Sequence, residues 1–330
     1  MTTHLRRREV ITLLGGAAAW PFAALAQQRA LPVVGYLYSA EPETSASRVA
    51  AFREGLSEAG FIEGRNVAIE YRFAYNKLDR LPELAADLVR RRVTVIVTPG
   101  SMPAALAAKA ATRTIPVVFA VGDDPVKAGL VASLNRPGGN LTGVNTMSWE
   151  LGSRRIGLLH ELLPEAARFA VLLNPNQPNA DSLMTDAQTG ALAIGGQIEI
   201  LSAGANREID VAFASLLQKR TDALMVSPDA LFVNRRVHLV TLAARHAIPT
   251  IYPFRDHVEI GGLMSYGALS NDTHRLAGVY AGSILNGKKP SDLPIMRPTK
   301  FEFVVNMQTA RTLGIEVPST LLAIADEVIE

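Results

Sequence analysis

Apolar runs in this chain repeatedly end in small polar or acidic residues. Leu31–Tyr38 runs into Ser39, Val93–Thr98 into Gly100-Ser101, and Ile115–Ala120 into Gly122-Asp123-Asp124. Phe169–Leu173 ends at Asn174, Ala223–Val226 runs into Ser227-Pro228-Asp229, and Gly262–Tyr266 carries Ser265 and Tyr266. Hydroxyls and backbone N–H groups at the positive end of a helix hold a carboxylate, the role open to Ser101. The side chain of Asp229 or Asp123 holds an ammonium. Tyr38, Trp149, Tyr252, Phe254 and Tyr266 offer faces on which a flat apolar group stacks. Taken singly, Ser and Asp at these places are ordinary helix caps or loop stops, and most Trp and Tyr residues are packing. Convergence on one place is what makes them a site.

Covalent and metal chemistry finds little support. There is no cysteine, which removes thiolate nucleophiles, disulfides and sulfur-bound zinc. Met264-Ser265-Tyr266-Gly267 approaches a nucleophile-elbow pattern, but Leu263 stands where its first glycine belongs. His257-Val258-Glu259 resembles a deaminase fragment without the cysteines that would complete it. The six histidines show no H-E-x-x-H spacing, and no phosphate-binding glycine loop is present. The expectation is a protein without catalytic residues, metal or cofactor.

The elements that would position those residues alternate. Short runs rich in Val, Ile and Tyr are followed by amphipathic or alanine-rich stretches, such as Arg48–Ala59, Leu81–Arg91 and Pro103–Ala111. Continuous apolar strands separated by helices indicate a parallel sheet covered on both faces. The plan then restarts at Phe169. Arg92-Val93-Thr94-Val95-Ile96-Val97-Thr98-Pro99 is echoed by Arg220-Thr221-Asp222-Ala223-Leu224-Met225-Val226-Ser227, and Ile115-Pro116-Val117-Val118-Phe119 by Ile248-Pro249-Thr250-Ile251-Tyr252. Two copies of one plan, about 130 residues apart, indicate two similar doubly wound α/β lobes. The final stretch adds a strand, a helix and another strand. The expected division is therefore 31–145 plus 261–287 for the first lobe, and 146–260 plus 288–330 for the second. Three crossings make a hinge, and facing lobes would bring the strand ends onto one cleft.

Residues 1–26 read as an address. Arg6-Arg7-Arg8 precedes the apolar run Val10–Ala19, and Ala24-Leu25-Ala26 supplies the small residues of a cleavage site. Arg7-Arg8-Glu9-Val10-Ile11 is similar to a twin-arginine leader. The expected mature chain starts at Gln27 and is soluble in the periplasm, monomeric and not membrane-inserted. Net charge is +2, and the three leader arginines against Glu9 account for it. The near-neutral remainder gives no electrostatic reason to expect nucleic acid.

Longer motifs carry a family resemblance. They are Phe61-Ile62-Glu63-Gly64-Arg65-Asn66-Val67-Ala68-Ile69-Glu70-Tyr71-Arg72, Asp124-Pro125-Val126 with Gly129-Leu130-Val131, and Asn135-Arg136-Pro137-Gly138-Gly139-Asn140-Leu141-Thr142-Gly143. Gly261-Gly262-Leu263-Met264-Ser265-Tyr266-Gly267 and the closing Ala325-Asp326-Glu327-Val328-Ile329-Glu330 complete the set. Together they resemble the ABC-transporter substrate-binding family of periplasmic binding protein type I fold, which includes aromatic amino-acid binders. The resemblance implies a two-lobe clamp on a small molecule, working with ABC permease subunits. The residues expected at the ligand are Ser39, Gly100, Ser101, Asp123, Asp124, Asn174, Ser227, Asp229 and Tyr266. A periplasmic sensor reporting to a membrane receptor is the alternative use of such a clamp.

Overall fold

The computed structural model describes residues 31–330 except Pro178, Pro298 and Thr299. The leader at residues 1–26 lies outside the described residues.

Five strands build the first sheet: β1 (Val33–Tyr38), β2 (Ala68–Phe73), β3 (Val95–Pro99), β4 (Val117–Val121) and β5 (Leu141–Asn145). They lie in the order β2-β1-β3-β4-β5, with every pairing parallel. Its two faces are covered by separate apolar clusters, one around Leu37, Leu88 and Phe119 and the other around Tyr36, Phe52 and Ala277. The inner strands β1, β3 and β4 are almost wholly apolar because neither side meets water, whereas the edge strand β2 is half-buried and carries Glu70 and Arg72.

The second sheet contains β6 (Arg168–Leu173), β7 (Gln197–Ser202), β8 (Ala223–Val226), β9 (Thr250–Tyr252), β10 (Met264–Ala268), β11 (Phe301–Asn306) and β12 (Glu327–Ile329). Their order is β12-β11-β10-β9-β8-β6-β7, and β10 with β11 is its antiparallel pair. The fold is α/β with parallel sheets in two lobes, as expected from the sequence. The internal echo extends to the backbone: Arg92 and Arg220, each ahead of the repeated strand, are both left-handed at φ 53° and 49°.

The expected division of the tail needs correcting at two places. Strand β10 does not join the first lobe. It hydrogen-bonds to β9 and β11, because the second sheet offers it an open parallel edge beside β9. Residues up to Met296 stay with the first lobe: Ile295 is buried beside Phe119 and Leu141, and Met296 N–H donates to Gly143 O at 2.9 Å. Strand β5 and the helix Gly152–Leu162 escape the sequence reading, since Gly143, Gly152 and Ser153 blur both patterns.

The chain thus crosses between lobes after Asn145, after Ala268 and between Met296 and Phe301. The first and third crossings are bridged by Asn145 N–H donating to Met296 O at 2.8 Å. The first and second are tied by Arg155, which is fully buried. Its guanidinium donates to Ser148 O at 3.2 Å and Tyr266 O at 2.8 Å, and burial lowers its pKa to about 10.

The second crossing is anchored by the helix Ser270–Leu285, which packs on the helix Ala46–Glu58 of the first lobe. The two backbones touch where side chains are missing. A Cβ on Gly55 would sit 1.8 Å from Arg275 O, and one on Gly278 2.2 Å from Phe52 O. Gly278→Val must push these helices apart, at about 1–3 kcal/mol of stability. Calorimetry of the variant should show a lowered Tm; an unchanged Tm would mean that the close crossing does not anchor the helix.

Candidate ligand-binding cleft

The carboxyl ends of the parallel strands from the two lobes face each other across a cavity of about 980 Å³, part of it open to solvent. From the first lobe come Ser39 after β1, Gly100 and Ser101 after β3, and Asp123 after β4; from the second comes Asp229 after β8.

Ser101 N-caps the helix Met102–Ala111, its Oγ accepting from Ala104 N–H at 3.3 Å. The hydroxyl proton stays available to a ligand, and Pro103 in the first turn has no N–H to satisfy. Gly100 turns the chain into this cap at φ +73°, a conformation that a side chain would strain. Ser39 lies alongside, nearly buried at 2% exposure. These groups form a hydroxyl-rich, dipole-positive pole.

Asp123 and Asp229 supply two carboxylates to the same cavity, one from each lobe. Asp229 N-caps the short helix Ala230–Asn234 through Leu231 N–H, at 2.7 Å from Oδ1. Its Oδ2 accepts from Asn174 Nδ2 at 3.2 Å and from Gln177 Nε2. Asp123 is 3% exposed, and its Oδ1 has no hydrogen-bond partner among the described residues. Asn179, from the other lobe, acts to lower the pKa of the same carboxylate. Burial first, and then the charge of Asp229, raise the Asp123 pKa to about 6. Burial also raises that of Asp229.

The same cavity is lined by Tyr38, Trp149, Phe254, Met102 and Pro103. Tyr38 is held edge-on by His274, with ring centres 5.9 Å apart, and by Phe73 behind it. Trp149 packs against Gly122, where a Cβ would come within 2.9 Å of its Cδ1. Two contacts join the lobes over the cleft. Arg48, which also bonds Tyr38, pairs with Asp256, and Asn234 donates to Asn76. The lobes are closed.

Four residues expected at the ligand do not line the cavity. Asp124 turns away to cap its own loop, accepting from Val126 N–H at 2.8 Å and Lys127 N–H at 3.2 Å. Asn174 stands behind Asp229 as its donor. Ser227 is wholly buried beneath the strand end. Tyr266 stacks on Phe301 at 6.1 Å, because β10 runs two residues further than expected and Ala268 takes the place at the cleft. Of the expected stacking rings, Tyr252 stacks instead on His257 at 4.7 Å. Arg48, Gln177, Asn234 and His274 line the cavity but were not singled out in the sequence. Arg48 and His274 sit inside amphipathic helices, where nothing in the spacing separates them from solvent-facing charges. Gln177 belongs to the Pro/Asn loop after β6, whose composition marks a turn and no more.

Comparison with known proteins follows this geometry. The ABC transporter substrate binding protein family matches residues 40–329. A tyrosine-binding protein of Clostridioides difficile (strain R20291) is 28% identical over 265 residues, spanning 80% of this chain and 76% of that one. A conserved domain protein from Vibrio cholerae superposes with a TM-score of 0.84 at 27% identity, covering 91% of this chain and all of the other. An ABC domain from Streptococcus pneumonia in complex with L-Trp gives 0.82 at 24% identity over the same shares. The ligand-free, open structure of a substrate binding protein with adhesive properties from Clostridium difficile gives 0.66 at 26%, covering 91% of this chain and 99% of the other. The chain belongs to the ABC transporter substrate-binding protein family.

Proposed function

We propose that this protein is the periplasmic receptor of an ABC importer, and that it clamps an aromatic amino acid or a close analogue between its lobes. The observation that carries this reading is a single cleft, walled by both lobes, with a hydroxyl pole, an acidic pole and aromatic sides. A solute carboxylate fits at Ser39 and Ser101, and its ammonium faces Asp123. The ring lies among Tyr38, Trp149 and Phe254. The names of the tyrosine-binding and L-Trp-bound relatives support this chemistry. The lobes also superpose better on the L-Trp complex than on the open, ligand-free relative, in keeping with a closed clamp.

Ligand that touches both lobes favours the closed form by its differential affinity for that form. A closed, loaded shape is what a permease would recognise. The leader at residues 1–26 supports export to the periplasm. No helix among the described residues is long and apolar enough to cross a membrane. Capture and release require no chemical step, and the cleft is read as a binding site without catalysis.

Isothermal calorimetry on protein refolded from denaturant, to strip carried-over solute, checks the ligand class. L-Tryptophan, L-tyrosine and L-phenylalanine are expected to bind saturably, at about 8 kcal/mol for a micromolar site, and sugars not to bind. Heat from sugars alone would contradict the reading. Trp149→Ala is expected to weaken aromatic ligands roughly tenfold, the worth of one stacked ring; unchanged affinity would remove Trp149 from the site. Gly122→Ala tests the same wall from behind. Its methyl group displaces the indole, so the fluorescence of Trp149, one of two tryptophans in the chain, should shift as affinity falls. An unshifted spectrum would mean that Gly122 does not set the ring.

A further inference from the structure

The closed cleft contains an ion pair between residues 208 positions apart in the chain. Arg48, on the helix Ala46–Glu58 of the first lobe, has a side chain 4% exposed, and it pairs with Asp256 of the second lobe, 23% exposed. A guanidinium this deeply buried needs an acid at hand, because a buried charge stripped of its partner is costly. Opening the cleft carries that acid away with the second lobe.

Each partner is fixed within its own lobe. Asp256 lies in the short turn Arg255–His257. On one side of it Arg255 pairs with Glu259, Glu302 and Glu327, at distances between 2.5 and 2.8 Å. On the other side His257 is wholly buried and stacks on Tyr252. Arg48 rides on the helix that the Gly55 and Gly278 contacts lock to Ser270–Leu285. The pair therefore joins lobe to lobe, and neither lobe needs it for its own packing. Asp256 does not line the cavity, yet residues tied to both partners do: Phe254 stands two positions before Asp256, and Tyr38 is bonded by Arg48.

Resting on the clamp reading above, we propose that Arg48 and Asp256 form a latch: the pair raises the closed population of the clamp, and Asp256 sets affinity without touching the ligand. Such a positioning residue acts on every solute alike. Apparent affinity scales with the fraction of protein in the binding-competent form, so weakening the latch lowers it by one factor for all ligands. A residue in contact with ligand would instead discriminate among them. Release carries most of the change, since the latch breaks before solute leaves.

The chain has no cysteine, so closure can be measured by trapping it. Asn234 donates to Asn76 across the cleft, and Asn76→Cys with Asn234→Cys puts two thiols at that contact. Their rate of crosslinking by a short bifunctional reagent reports the closed fraction with no ligand present. Adding Asp256→Asn should slow trapping on the order of tenfold, the low end for a charged hydrogen bond, and Asp256→Glu should restore most of the rate. In the otherwise unaltered chain, Asp256→Asn should weaken L-tryptophan and L-tyrosine by one common factor, mostly through faster release, with little change in Tm. An unchanged trapping rate, unchanged affinities, or a loss confined to one amino acid would overturn the latch. A collapse of the Tm would overturn it too, because the pair would then hold the fold together rather than select a conformation. If neither amino acid binds, the aromatic reading fails by itself, and the trapping rate alone decides the latch.

Discussion

The structure depends on one constraint of chain path: strand β10 is a member of the second sheet, and the helix that directly follows it is packed into the first lobe. The helix Ser270–Leu285 is held there by glycine contacts with the helix Ala46–Glu58 that no side chain could enter. The strand is held by β9 and β11. Neither lobe can be completed without the other, yet each keeps an apolar cluster on both faces of its own sheet. Rigid lobes joined by three short crossings leave one soft degree of freedom, rotation about the hinge. Arg155 sits on that axis, holding a carbonyl from the first crossing and one from just before the second.

Parallel topology does the rest. Strands that run the same way end on the same edge, and helix N-termini gather there. With the two edges opposed, the polar ends of β1, β3 and β4 meet that of β8 across the cavity. The chemistry of the cleft is therefore a consequence of sheet polarity, and its specificity a consequence of which few side chains stand at the ends. Two carboxylates, Asp123 and Asp229, line the cavity, and burial raises the pKa of each.

Much of this was legible in the sequence, and the limits have physical causes. Strand ends could be read because buried parallel strands are continuously apolar, so their first polar residue stands out: Ser39, Ser101, Asp123 and Asp229 all reach the cavity. Asp124 misses the cavity by one position and Asn174 by three, to Gln177, since a loop of consecutive polar residues does not declare which one faces inward. Tyr266 failed because Gly267 and Ala268, small and unremarkable, continue β10 past the point where the pattern fades. The tail was divided wrongly for a related reason. Residues 288–296 contain no regular element long enough to show a period, and it is the packing of Leu293, Ile295 and Met296 that assigns them to the first lobe. Arg48–Asp256 and Asn76–Asn234 join residues 208 and 158 positions apart, pairs that no local spacing can suggest.

Solution X-ray scattering on the protein, with and without saturating L-tryptophan, tests the central claim that the two lobes are a clamp. A closed chain of about 300 ordered residues should have a radius of gyration near ~19 Å. The account predicts a larger value and a broader distance distribution without ligand, collapsing to the compact form when ligand saturates. Scattering that stays the same while calorimetry reports bound ligand would contradict it, because a cleft that fills without moving the lobes is not a clamp.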